Sequence, residues 1–127
     1  MTLKAMKAVL LCLPLLLAVG LFAKEPTSIT LRGEIMDSQC AYNVHSLGHS
    51  HDEMINSHIS GATDEKSCSY HCVKDRGGVY VLLVKEDVYR LDDQNVSANF
   101  AGKKVKVNGT LDDKTHTLHV VKMEEDK

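Results

Sequence analysis

The chain has 127 residues, of which 43% are apolar, 25% charged and 5% aromatic. This fits one small domain with one core and excludes a multidomain enzyme or a disordered polymer. Lysine and arginine number 15 against 17 acids. Without Lys4 and Lys7, which belong to a leader, the balance is 13 against 17, a net charge near −4 that excludes a basic nucleic-acid footprint.

Basic Lys4 and Lys7 precede an apolar run from Ala8 to Phe22, broken only by Pro14, and small residues Ala18, Gly20 and Ala23 follow. That is the layout of a secretory signal peptide over residues 1–23, leaving a single domain at 24–127. The run falls short of the roughly 20 residues that cross a bilayer, so no stable membrane span is expected after cleavage. The expected location is periplasmic or secreted. Loss of Cys12 with the leader leaves Cys40, Cys68 and Cys72. An odd number in an oxidising compartment implies a spare thiol, a partner molecule or a bound metal.

In chain order, Ile29, Leu31, Gly33 and Ile35 alternate with polar residues, the period of a strand buried on one face. From Asp37 to about Ser67 the pattern dissolves into a polar, His-rich stretch too long for an ordinary loop. Thr63 then caps a predicted helix through Arg76, with acids in its first turn, Lys74 and Arg76 in its last, and Gly77 and Gly78 as its stop. Val79–Val84 and Val88–Leu91 read as a hairpin, and Asp92–Ala101 as a helical turn that can plug Phe100 into a barrel end. Val105, Val107, Gly109 and Leu111 alternate along a fourth strand, and Thr115–Met123 forms the fifth. Glu124–Lys127 reads as a solvated tail.

Five short strands, a helical turn between the third and fourth, and a partly helical Cys/His-rich insertion between the first and second predict an all-β, five-stranded OB-like barrel with a small helical content. Gly33 and Gly109, in mid-strand, serve its sharp coiling. The alternative is an open antiparallel sheet with a helix on one face.

The segments GEIMDSQCA, CSYHCVKDRGGVYVLLV, VYRLDDQ and FAGKKVKVNGTLDDKTHTLHV lie within about residues 31–121. Together they resemble a family of small exported bacterial domains of unknown function, with Cys-x3-Cys-Val as the most specific element. The resemblance implies an extracytoplasmic β-rich domain, with Cys40, Cys68 and Cys72 at its cysteine positions. The histidines of LGHSHDEMINSHIS depart from it.

Cys68 and Cys72 are four apart, so a helix puts both sulfurs on one face. Cys40 opens the insertion that this helix closes, so a third thiol can converge at the barrel rim, with His45 or His71 completing a Cys3His set suited to Zn(II) or Cu(I). Two other readings use the same residues. A disulfide from Cys40 to Cys68 or Cys72 staples a loop of about 30 residues, worth roughly 3 kcal/mol. Alternatively, Cys68 and Cys72 form a redox pair. The staple ranks first, because oxidised pairing is the default outside the cytosol.

His45, His49, His51 and His58, with Asp52, Glu53 and Met54, offer donors for Cu(II), Ni(II) or Zn(II), but without an enforced register they read first as a solvated loop. No phosphate loop, nucleophile elbow or zinc-protease helix is present in the sequence. The leading expectation is an exported, non-enzymatic binding or interaction domain for an unidentified ligand or protein, its cysteines stapling the insertion or holding a metal. The alternative is an extracytoplasmic thiol redox or copper-delivery protein using Cys68 and Cys72. That chemistry sits on thioredoxin-like folds, whose crossover helices the strands after Gly78 leave no room for.

Overall fold

A computed structural model describes residues 26–44, 51–57 and 61–127. The expected signal peptide and His45, His49 and His58 lie outside these residues.

The strands are β1 (Thr27–Asp37), β2 (Tyr80–Val84), β3 (Asp87–Leu91), β4 (Lys104–Asp112) and β5 (Thr117–Glu125). They close into a barrel in the order β1-β2-β3-β5-β4, with β4 returning to β1. All pairings are antiparallel except the short β3–β5 contact at Arg90 and Leu91. This is the expected OB-like barrel. Helices α1 (Ser38–Ala41), α2 (His51–Asn56) and α3 (Glu65–Arg76) lie between β1 and β2, and α4 (Gln94–Ala98) lies between β3 and β4.

Alternation along β1 and β2 divides the apolar residues between two cores. Ile35 and its register partner Leu82 join Leu91, Val105, Val107 and Leu118 inside the barrel, and Leu31, Phe100 and Val120 pack against them. Met36 and its partner Val81, one residue on, point to the other face, where they meet Cys40, Ala41, Met54, Ala62, Cys68 and Cys72. The insertion therefore builds a second small core on the outer wall of β1 and β2. Its ends are tied by hydrogen bonds: Ser38 N donates to Val79 O at 2.8 Å, and Val79 N donates to Ser38 Oγ at 3.1 Å.

Two local expectations change. The cap of α3 is Asp64, whose carboxylate accepts from Ser67 N at 2.7 Å while Ser67 Oγ accepts from Asp64 N at 3.1 Å. This reciprocal box satisfies two helix-end donors, which Thr63 one residue earlier does not do. The helix ends at Gly77 with φ 71°, as expected of a C-terminal glycine. Glu124 and Glu125 are not a solvated tail but pair with Lys106 and Val105 in β5, and Asp126 makes an ion pair with Arg32. The strand runs on because the barrel edge there would otherwise leave β4 unpaired. Asp92 and Asp93, at the bend between β3 and α4, both make side-chain hydrogen bonds. Asp93 caps α4 by accepting from Val96 N at 2.9 Å, and Asp92 accepts from Val120 N at 2.8 Å.

Gly109 sits at a register shift in β4, where a Cβ would lie 2.2 Å from His119 O; a Cβ on Gly33 would lie equally close to Leu83 O. Both obstacles are backbone atoms of a neighbouring strand, so a side chain fits only if the barrel wall moves. Gly109→Ala is expected to cost about 2 kcal/mol or more, lowering Tm by at least about 8 °C. A melting curve unchanged from wild type would mean that the strands do not approach this closely in solution.

Candidate metal centre

The centre is assembled at the end of β1. Asp37 is the last residue of that strand and the N-cap of α1, its Oδ1 accepting from Cys40 N at 2.9 Å. This bond turns the chain and carries the Cys40 side chain back over the strand. Helix α3 supplies Cys68 in its first turn and Cys72 one turn later, both on its buried face. The sulfurs of Cys40, Cys68 and Cys72 and one Asp37 oxygen all lie within 4.8 Å of one another. None of the four residues has measurable solvent exposure (each 0%). No disulfide joins the cysteines.

Hydrogen bonding and charge divide the thiols into unlike states. The Cys40 thiol donates to Cys68 and, with a contribution from the nearby His51, holds Cys68 at about 7 although burial opposes it. Giving up that proton would cost Cys40 its bond to Cys68 and place a second negative charge in a buried site beside Asp37, so its thiol is pushed up. Burial, followed by the charges of Asp37 and Cys68, pushes Cys72 up to about 12. Burial alone would raise Asp37 too, but the His51 hydrogen bond and the Cys40 amide and thiol overcome it and hold the carboxyl below its ordinary value. Four acidic groups thus share one small apolar volume, and protons hold two of them neutral. A divalent cation would let all of them ionise together.

His51 backs the centre. It lies on α2 with 2% exposure, its Nε2 3.3 Å from Asp37 Oδ2 and 3.0 Å from Ser69 Oγ. A histidine oriented against a carboxylate that faces a metal is a common supporting arrangement in metal centres.

The three cysteines expected to converge are therefore together, against the outer wall of β1 and β2. His71, expected as a possible fourth donor, stands apart: it is partly exposed on α3 and pairs with Asp75 at 2.9 Å, its position projecting about 100° round the helix from its neighbour Cys72. His45, the other expected donor, is outside the described residues. Sequence reasoning missed Asp37, which it took as the start of a loop, and took His51 and Met54 as parts of a solvated one, whereas both are buried. One signal could have found Asp37: an Asp three residues before Cys40, at the end of a strand, is a helix-cap spacing that fixes the Cys in space.

Among the described residues no helix is long and apolar enough to cross a membrane. Comparison of the chain with family models, with curated proteins and with solved structures finds no match.

Proposed function

We propose that this chain is an exported, non-enzymatic domain that holds one transition-metal ion through Cys40, Cys68, Cys72 and Asp37. The observation that carries this reading is the enclosure of four donor atoms within 4.8 Å of one another, all buried. Four protein donors and no open position describe a structural or storage site rather than a catalytic one. Three thiolates suit Zn(II) or Cu(I), and the carboxylate favours Zn(II), since a hard oxygen is a poor donor to Cu(I). A disulfide would use two thiols and leave the third beside an ionised Asp37. The closure that a staple would supply is already made by the Ser38–Val79 hydrogen bonds. Export rests on the leader and on the resemblance to small exported bacterial domains.

A second reading, thiol redox through Cys68 and Cys72, draws on the depressed value of Cys68, which makes it the best nucleophile of the three. Against it stands the complete burial of both sulfurs, since exchange needs an incoming disulfide to reach one of them.

The test is an anaerobic Co(II) titration of the reduced, chelator-treated protein, read by thiolate-to-metal charge-transfer absorption and then by displacement with Zn(II). One thiolate-bound equivalent is expected, weakened at least about 100-fold in each of Cys40→Ser, Cys68→Ser and Cys72→Ser. Its affinity should rise with pH by about 100-fold per unit near neutrality, because at least the Cys40 and Cys72 protons must leave. Absence of the band in wild type, or its persistence in any one of the three variants, would sink the shared site.

A further inference from the structure

We propose that Glu34, His51 and Glu65 form a second divalent-cation site, separate from the thiolates and joined to them through the Asp37–His51 contact. The three side chains come from β1, α2 and the first position of α3, and their donor atoms lie within 4.8 Å of one another. Two carboxylates alone would not make a site. The second observation is His51 itself, whose ring is almost completely buried and whose Nδ1 has no hydrogen-bond partner.

An orphaned buried ring nitrogen is costly unless something occupies it. The Nε2 side is fully engaged with Asp37 and Ser69. The Nδ1 side looks toward Glu34 Oε1 at 3.7 Å, too far for a hydrogen bond but shorter than two metal–ligand bonds of about 2.1 Å placed end to end. Glu65 is exposed and can close the remaining distance by rotation. Charge points the same way. Glu34 is held above the ordinary carboxylate value by burial and then by Glu65, with Asp52 adding to the effect and Lys104 and His51 opposing it. A cation between Glu34 and Glu65 would remove their repulsion.

One imidazole and two carboxylates, with room for water on the exposed side, suit a borderline divalent ion such as Zn(II), Co(II) or Mn(II). The ion would fix His51 as the neutral tautomer, with its proton on Nε2 directed at Asp37, the carboxylate–histidine–metal arrangement of many sites. Asp37 would then face the thiolates on one side and support the second site on the other. This inference does not require a metal at the thiolates.

The test is Co(II) binding to the reduced full chain, with total bound metal from equilibrium dialysis and thiolate-bound metal from the charge-transfer band. Wild type should bind one equivalent more than the band accounts for. Glu65→Gln and Glu34→Gln should each weaken that equivalent 10- to 100-fold and leave the band unchanged, while Glu53→Gln, an exposed acid outside the trio, should alter neither. The inference is overturned if wild type shows no excess, if both trio variants keep it, or if Glu53→Gln lowers it equally; the first two outcomes favour an imidazolium held between Asp37 and Glu34. A missing band with the excess retained would instead remove the thiolate centre and leave this site standing.

Discussion

Val107→Asp is expected to leave the domain without a fixed tertiary structure at 25 °C. Val107 has no solvent exposure and faces the barrel interior with Ile35, Leu82 and Leu118. It pairs with Leu31 on one side and Met123 on the other, so nothing polar stands opposite it. A carboxylate there must be buried without a partner or ionise by unfolding, at a cost of about 4 kcal/mol or more. A domain near the lower end of the roughly 5–15 kcal/mol typical of this size keeps no stable fold after such a loss. Collapse of amide chemical-shift dispersion is the direct readout. Val121→Asp is the control: Val121 lies on β5 but is 77% exposed, and its change should stay within about 0.5 kcal/mol. A Val107→Asp protein with the wild-type melting curve would mean that the strand register is wrong.

The second large effect is expected at Asp37. Its carboxylate is fully buried, caps α1, accepts from Cys40 N and pairs with His51. Asp37→Ala removes the cap and leaves His51 facing a void, so the metal-free reduced protein should lose about 3–5 kcal/mol, read as a lower urea midpoint. The same substitution should weaken the thiolate-bound Co(II) equivalent, because a donor is gone. Asp37→Asn keeps an acceptor for Cys40 N and should cost less stability, yet it should weaken the metal as well. The pH dependence has a definite sign. The folded Asp37 is depressed, so its contribution is present above about pH 4, the ordinary carboxyl value, and is lost as pH falls through the lower folded one. Asp37→Asn should lack that acid limb. Wild-type stability and metal binding in Asp37→Ala would remove the residue from the centre.

These two residues differ in how far the linear chain revealed them. The burial of Val107 follows from alternation, since Val105, Val107, Gly109 and Leu111 share one face of any strand that contains them. Leu31 and Leu111 share that pattern but are only half-buried. Barrel topology was legible for the same reason: strand period and strand spacing are local properties that survive in one dimension. So was the pairing of Cys68 with Cys72, which depends only on the pitch of a helix.

Asp37, His51 and Glu34 are a different case. Asp37 and His51 are separated by a polar stretch with no period, and each by itself resembles a loop residue. Their burial arises because Met36 and Val81, on the outward face of β1 and β2, need cover, and the insertion supplies it with Met54, Cys68 and Cys72. Once that second core closes, the polar groups carried with it must find partners inside. Period, helix pitch and cysteine count were therefore properties of the sequence alone. Which carboxylate and which histidine meet the cysteines was decided only by packing, because donor convergence depends on distances across the fold that no spacing along the chain records.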